Sequence, residues 1–372
     1  MPIKVCHVTS LHPVKDGRIY ERDCKSLAKK YEVYLVAPNT ENRIEDGVHI
    51  VGVPLPTINH RIKRWLKLRS ILKPLYEIDA DVYHFHDPEL IGIGLKLKRR
   101  GKKIIFDSHE DVPMLILAKD YIPCRKIVSK MYALYEKHIL KQYTSLISVT
   151  VHIVDRLKKI NPNTYLITNY PIYNERTNLK MYDTQNERSL CFAGLLGKNW
   201  MLHNIIDVLP QVNARLYLAG IYSTEDYLNE LKDLKGWENV VFEGTLPHEK
   251  VITLYNSCKV GLAIESYDNP NAGYKTGSLG CTKIPDYMAS GLPVIVSDSV
   301  VWGAVVRKYD CGVVVEDPNN KKEIAQAINS ILDNPERARI MGENAKKAAL
   351  EEFNWNSQEK VLLELYKNIL GE

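Results

Sequence analysis

The stretch TKIPDYMASGLPVIVSD, Thr282 to Asp298, places an acid one turn into a short helical pattern that leads to an apolar strand. Thr282 suits an N-cap, Pro285 falls in the first turn and Gly291 stops the helix. Upstream lies GSLG, Gly277 to Gly280. A tight turn there would aim backbone amides, with the helix's positive end, at an anion. A diphosphate fits such a nest, with Ser278, Leu279, Gly280 and Lys283 around it. Asp286 would then accept hydrogen bonds from the two hydroxyls of an attached ribose, each worth about 1.5–3 kcal/mol. The other reading of Asp286 is a carboxylate that only complements the helix dipole, worth about 0.3–1 kcal/mol.

Other chemistry-bearing residues recur at the ends of apolar runs. SLCFAG, ARLYLAG and VVFEG close on Gly194, Gly220 and Gly244, with Leu246 just beyond the third, as if backbone must approach a ligand closely. Lys198 is the cation nearest to the first of these. In the first half, Gly17 and Arg18 sit in a loop after the first strand, His86 and Asp87 end VYHFHD, and His109, Glu110 and Asp111 follow KIIFDS. His84 and His86 share a strand face. A metal would need a third ligand that the sequence does not supply. Asp79 and Asp81, in DAD, precede their strand and fall at the wrong end of a sheet. Neither a metal nor a cofactor is expected.

These positions need strands to hold them. Val5, Tyr34, Tyr83 and Ile105 lie in near-continuous apolar strands that alternate with helical patterns such as RIYERDCKSLAKK, which predicts a parallel sheet covered on both faces. The polar run after Ile172 interrupts this alternation, which then begins again. The expected fold is α/β: two Rossmann-like, doubly wound domains facing a cleft, with ligands at the carboxyl ends of the strands. The expected boundaries are 1–172, a linker at 173–187, 188–353, and a closing helix at 354–372 that crosses back to the first domain.

Composition agrees with such a protein. The 372 residues are 45% hydrophobic and 26% charged, enough for two cores. Seven scattered cysteines without CxxC spacing argue against a disulfide framework or zinc knuckle. The opening MPIKVCHVTS and the lack of a long apolar run predict a cytosolic protein. Up to Ile172 there are 29 Lys and Arg against 18 Asp and Glu, and thereafter 21 against 27. In HRIKRWLKLRSILKPLY and CRKIVSKMYALYEKHILK, cations interleave with apolar and aromatic residues at helical spacing. That pattern predicts docking on an anionic membrane surface, or else a solvated basic face. No nucleic-acid-binding module accompanies the charge.

TKIPDYMASGLPVIVSD, preceded by NVVFEGTLPHEKVITLYNSCKVGLAI, resembles the nucleotide-sugar half of the family-4 retaining glycosyltransferases of the GT-B fold. HVTSLHPVKDGRIYERDCKSLA, VYHFHDPEL and FDSHEDVP resemble a bacterial branch of that family that assembles capsule, exopolysaccharide or lipopolysaccharide. FNWNSQEKVLLELY resembles its closing segment. The resemblance implies transfer of a sugar from a nucleotide-diphosphate donor, UDP first and GDP second, to a lipid-linked glycan or oligosaccharide. It also implies retained configuration, a proton taken by the leaving diphosphate, and a protein peripheral to the inner face of the cell membrane. Of the family's two donor-binding glutamates eight apart, Ser278 stands at the first and Asp286 at the second. Leu195 stands where an arginine is common, leaving Lys198 to meet the diphosphate, with Arg18 or Lys283 as the second charge. His109 matches the histidine that touches the donor sugar, and His86, Asp87, Glu110 and Asp111 fall on the acceptor side. The other readings are a sugar-nucleotide 2-epimerase and a non-catalytic nucleotide-binding module. A dinucleotide enzyme is disfavoured because no GxGxxG follows the first strand.

Overall fold

A computed structural model describes residues 2–55, 67–173, 181–184, 187–269 and 272–372. The chain forms two compact units, Met1–Asn169 with Gln358–Glu372, and Tyr170–Ser357.

Unit 1 is built on β1 (Lys4–Val8), β2 (Glu32–Pro38), β3 (Arg43–Glu45), β4 (Val48–Val53), β5 (Val82–Phe85), β6 (Lys103–Ser108), β7 (Ser145–Ser148) and β8 (Thr164–Leu166). They form one sheet in the order β3-β4-β2-β1-β5-β6-β7-β8, parallel except for the β3–β4 edge pair. Every residue of β5 and β7 is buried, as expected of strands covered on both faces. Helices α1 (Leu72–Ile78), α2 (Ile91–Lys98), α3 (Val112–Ala118), α4 (Arg125–Leu140) and α5 (Val151–Lys158) pack around it. The sheet reverses its order of growth between β1 and β5, the switch point where ligands bind in open α/β sheets.

One expected helix departs from the regular form. Ile19–Cys24 is wound as a π-helix and runs on into Lys25–Leu27. The wider i→i+5 turn is seen in Asp23 N–H donating to Arg18 C=O at 2.9 Å, and Asp23 is buried along with Ile19 and Tyr20. Such turns are frequent at functional sites.

Unit 2 contains β9 (Ser189–Ala193), β10 (Arg215–Ala219), β11 (Val240–Gly244), β12 (Val260–Ala263), β13 (Val294–Ser297) and β14 (Gly312–Val315). Its order is β11-β10-β9-β12-β13-β14, all parallel. This is the 3-2-1-4-5-6 order of a Rossmann sheet, with its switch point between β9 and β12. The helices are α6 (Leu202–Val212), α7 (Glu225–Lys232), α8 (His248–Ser257), α9 (Lys283–Ala289), α10 (Val300–Tyr309), α11 (Lys321–Leu332) and α12 (Pro335–Glu351). Of the polar run at 173–187, the segment 181–184 docks on α8: Met181 and Tyr182 N–H donate to Ser257 Oγ at 2.7 and 2.9 Å.

The last helix, α13 (Trp355–Leu370), carries the chain from unit 2 into unit 1. Leu362, Leu365 and Tyr366 are buried, and Tyr366 Oη lies 2.8 Å from His84 Nδ1. Gln358 Oε1 accepts from Thr168 N–H at 2.9 Å.

Candidate functional site

In unit 2 a cavity of about 490 Å³ opens at the switch point. Ala193 and Gly194 from the end of β9 line it, with Glu265 beyond β12, Ser278 and Gly280 to Asp286 through the start of α9, and Trp200, His248 and Tyr255. Lys283 is its cation. The ammonium stands 3.2 Å over the Trp200 ring and 4.8 Å from that of Phe192, and burial lowers its pKa. A side chain at residue 194 would stand 3.4 Å from Lys283 Nζ, so glycine there leaves room for the lysine. Burial raises the pKa of Glu265, against the pull of Asn269 and Lys283. Asp286 is buried in α9 and is one of the residues that line the cavity.

Several expectations change here. Thr282 occupies the N-cap position but has helical backbone angles and makes no side-chain cap. Two amides of the GSLG turn are engaged within the loop, Gly277 N–H donating to Tyr274 C=O at 3.3 Å and Gly280 N–H to Ser278 Oγ at 3.1 Å. Ser278 thus satisfies its own loop, and the positive group facing the cavity is Lys283. Lys198 is directed elsewhere. It is exposed, pairs with Glu230 at 2.8 Å and does not line the cavity. Leu279 packs against the core.

The strand-end glycines serve the sheet as well as the cavity. A Cβ on Gly220 would sit 1.7 Å from Gly194 C=O, and Gly194, Gly220 and Gly244 all have positive φ. The close approach read from the sequence is, at Gly220, that of one strand end to another, while a Cβ at Gly244 would meet nothing within 4 Å. Gly194, Leu195, Gly220 and Leu246 also line a second, apolar hollow of about 290 Å³ with Ile221 and Thr245.

Unit 1 gathers its own polar residues at the ends of β1, β5 and β6. His7 and His84 are register partners on β1 and β5. His7 Nδ1 lies 2.9 Å from His86 Nε2, and His86 Nδ1 lies 3.4 Å from His109 Nε2. Tyr366, His84, His7, His86 and His109 thus form a continuous imidazole and phenol cluster. Asp87 accepts from Thr9 Oγ1 and Ser10 N–H at 2.8 and 2.7 Å, while His12 lies between Asp16 and Asp87. Burial pushes His109 down to about 4 against the attraction of Asp107, so its ring is neutral at pH 7. Burial works to raise the Asp107 pKa, but Arg18 and His109 hold it well below the carboxylate range.

Arg18 is turned inward, and of its guanidinium nitrogens Nη2 has no hydrogen-bond partner among the described residues. It is buried, with Nε 2.6 Å from Asp107 and Nη1 2.6 Å from Asn169, because the charge of Asp107 in the interior requires a partner. Gly17 is exposed, and its carbonyl accepts from Arg22. Asp111 is also turned inward: it caps α3 by accepting from Met114 N–H at 3.2 Å and pairs with Arg156 at 3.0 Å. Glu110 remains exposed. The donor atoms missing from the sequence for a metal are Asp23 and Asp107, which come within 4.8 Å of His84 and His86. The cation already in that cluster is Arg18.

Sequence reasoning missed Trp200, His248, Glu265 and Asn269 in unit 2, and His7, His12, Asp107 and Tyr366 in unit 1. Glu265 had a usable signal, as the first residue past the apolar run VGLAI at the switch point. Tyr366 had none, since its partner lies 282 residues away.

Two family models divide the chain: that described as Glycosyltransferase Family 4 matches residues 23–169, and Glycosyl transferases group 1 matches 178–348. An uncharacterized glycosyltransferase of Methanocaldococcus jannaschii is 24% identical, covering 92% of this chain and 91% of its own. The sucrose-phosphate synthase structure from Thermosynechococcus elongatus superposes with a TM-score of 0.73 at 16% identity, covering 99% of each chain. Anabaena HepE in complex with UDP gives 0.69 at 13%, covering 98% of this chain and 100% of that one. Together the two matches span most of the sequence on the GT-B pair of Rossmann-like units, and the chain belongs to the family 4 and group 1 glycosyltransferases.

Proposed function

We propose that the protein transfers a sugar, with retention, from a nucleotide-diphosphate donor held in unit 2 to a lipid-linked glycan in bacterial surface polysaccharide synthesis. The observation that carries the donor assignment is the switch-point cavity, which holds Lys283 and Asp286 together. Lys283 meets the diphosphate, Asp286 the ribose hydroxyls, and the apolar hollow beside Leu246 receives the base. Aspartate is shorter than glutamate by one C–C bond, about 1.5 Å, and the burial of α9 against the sheet sets how close its carboxylate comes to the ribose. Lys283 takes the place expected of Lys198. UDP is preferred to GDP, in keeping with the UDP complex of Anabaena HepE.

In unit 1 the neutral His109 is the residue for the donor sugar, with His86, Asp87 and Glu110 toward the acceptor. A neutral imidazole can donate or accept a hydrogen bond to a sugar hydroxyl without adding charge, and the site positions and stabilises groups without a protein nucleophile. Thermal shift against UDP, GDP, CDP and dTDP tests the reading. One diphosphate is expected to raise the melting temperature, and Lys283→Met to weaken its binding at least tenfold. No shift with any of the four, or full binding by the variant, would remove the donor assignment.

A further inference from the structure

Glu265 is the feature of the cavity that the donor assignment leaves unused. It is the second residue past β12, at the switch point, and its backbone is clamped by a single hydroxyl: Glu265 N–H donates to Ser297 Oγ at 2.7 Å, and Ser297 Oγ donates to Glu265 C=O at 2.7 Å. Its side chain is held as well, Oε1 accepting from Asn269 Nδ2 at 2.7 Å. The carboxylate lines the same cavity as Lys283 and Asp286, and Lys283 acts on it electrostatically. A carboxylate fixed at both ends and turned to a cavity is suited to accept from a pair of hydroxyls. The GSLG turn has no carboxylate, and its one hydroxyl, Ser278 Oγ, already accepts from Gly280 N–H.

We propose that Glu265 reads the hydroxyls of the donor's sugar and selects an uncharged hexose over a uronic acid. The inference rests on the donor assignment above. A uronate would bring a second carboxylate against Glu265 in a partly dry cavity, where like charges repel strongly. A neutral sugar instead offers that carboxylate hydroxyl donors in addition to Asn269. Glu265 thus acts on the sugar, and Lys283 on the diphosphate.

The test compares calorimetric affinities for UDP and GDP with those for UDP-glucose, UDP-galactose, UDP-N-acetylglucosamine, GDP-mannose and UDP-glucuronate. The quantity read is the ratio of sugar-nucleotide to bare-nucleotide affinity. In Glu265→Gln this ratio is expected to fall about tenfold for the preferred neutral donor, with bare-nucleotide affinity within twofold of wild type and the gap to UDP-glucuronate narrowed. Glu265→Asp, which keeps the charge but withdraws it, should fall between the two. An unchanged ratio, or equal losses for bare and sugar-linked nucleotide, overturns the proposal. If the wild type binds neither UDP nor GDP, the donor assignment fails first and takes this inference with it.

Discussion

Asp23 shows how one residue's protonation can be read in the stability of the whole. Both carboxylate oxygens are buried without a hydrogen-bond partner. Burial raises its pKa to about 6, against the attraction of Arg18. An acid whose folded pKa lies above its unfolded value favours the fold when protonated, and that contribution is lost as pH rises from about 4 through 6. Asp23→Asn removes the charge and keeps the shape. It is expected to raise the melting temperature by a few degrees at pH 8, where roughly 2–4 °C corresponds to 1 kcal/mol, and by much less at pH 4.5. Equal gains at both pH values would show that the ionised carboxylate is not penalised. The inward face was legible in the sequence, because Asp23 stands four residues from both Ile19 and Leu27 and shares their side of a helix, whereas the π turn was not, because RIYERDC has the period of an ordinary helix. The placement of His86, Asp87 and His109 at strand tips was legible, since each follows an apolar run, whereas the burial of His86 and Asp87 there was not.

Among the described elements, α4 stands out for its run of exposed apolar residues. Ile127, Val128, Met131, Leu134 and Tyr135 are exposed on it at spacings of one, four, seven and eight residues, which is a single helical face. Lys126, Lys130 and Lys137 form the adjoining exposed stripe. This is the layout of a helix lying in a lipid interface, and each cation near an anionic surface contributes about 1 kcal/mol. The spacing was legible in the sequence, whereas the exposure was not. The companion stretch at 60–76 falls partly outside the described residues, so α4 carries the prediction. Wild-type protein should sediment with phosphatidylserine vesicles at low salt. Ile127→Ser with Met131→Ser is expected to reduce the bound fraction severalfold while leaving nucleotide affinity unchanged. Equal sedimentation by the variant would return α4 to the status of a solvated basic helix.

Taken as a whole, the molecule is two Rossmann-like units whose boundaries do not follow chain order. Residues 358–372 belong to unit 1 although unit 2 separates them from the rest of it. Within that segment Leu362, Leu365 and Tyr366 are each worth about 1.5–3 kcal/mol in buried surface, a large share of the 5–15 kcal/mol typical of a domain. A chain ending at Ser357 should therefore lose protease resistance in unit 1 and keep it in unit 2, as limited proteolysis with mass spectrometry would show. Retained protection of Met1–Asn169 would mean that α13 only decorates that surface. Both sheets were legible from alternating apolar runs, and the closing helix from its amphipathic spacing. The His84 contact that anchors it was not, because no local pattern joins residues so distant. The returning helix also has a consequence for biosynthesis. At about 5–20 residues per second, a ribosome spends tens of seconds on Tyr170–Ser357 after the last strand of unit 1 has emerged. The histidines at the heart of that unit wait through this interval for a tyrosine that has yet to be translated, so the first part of the protein to be made is the last to be finished.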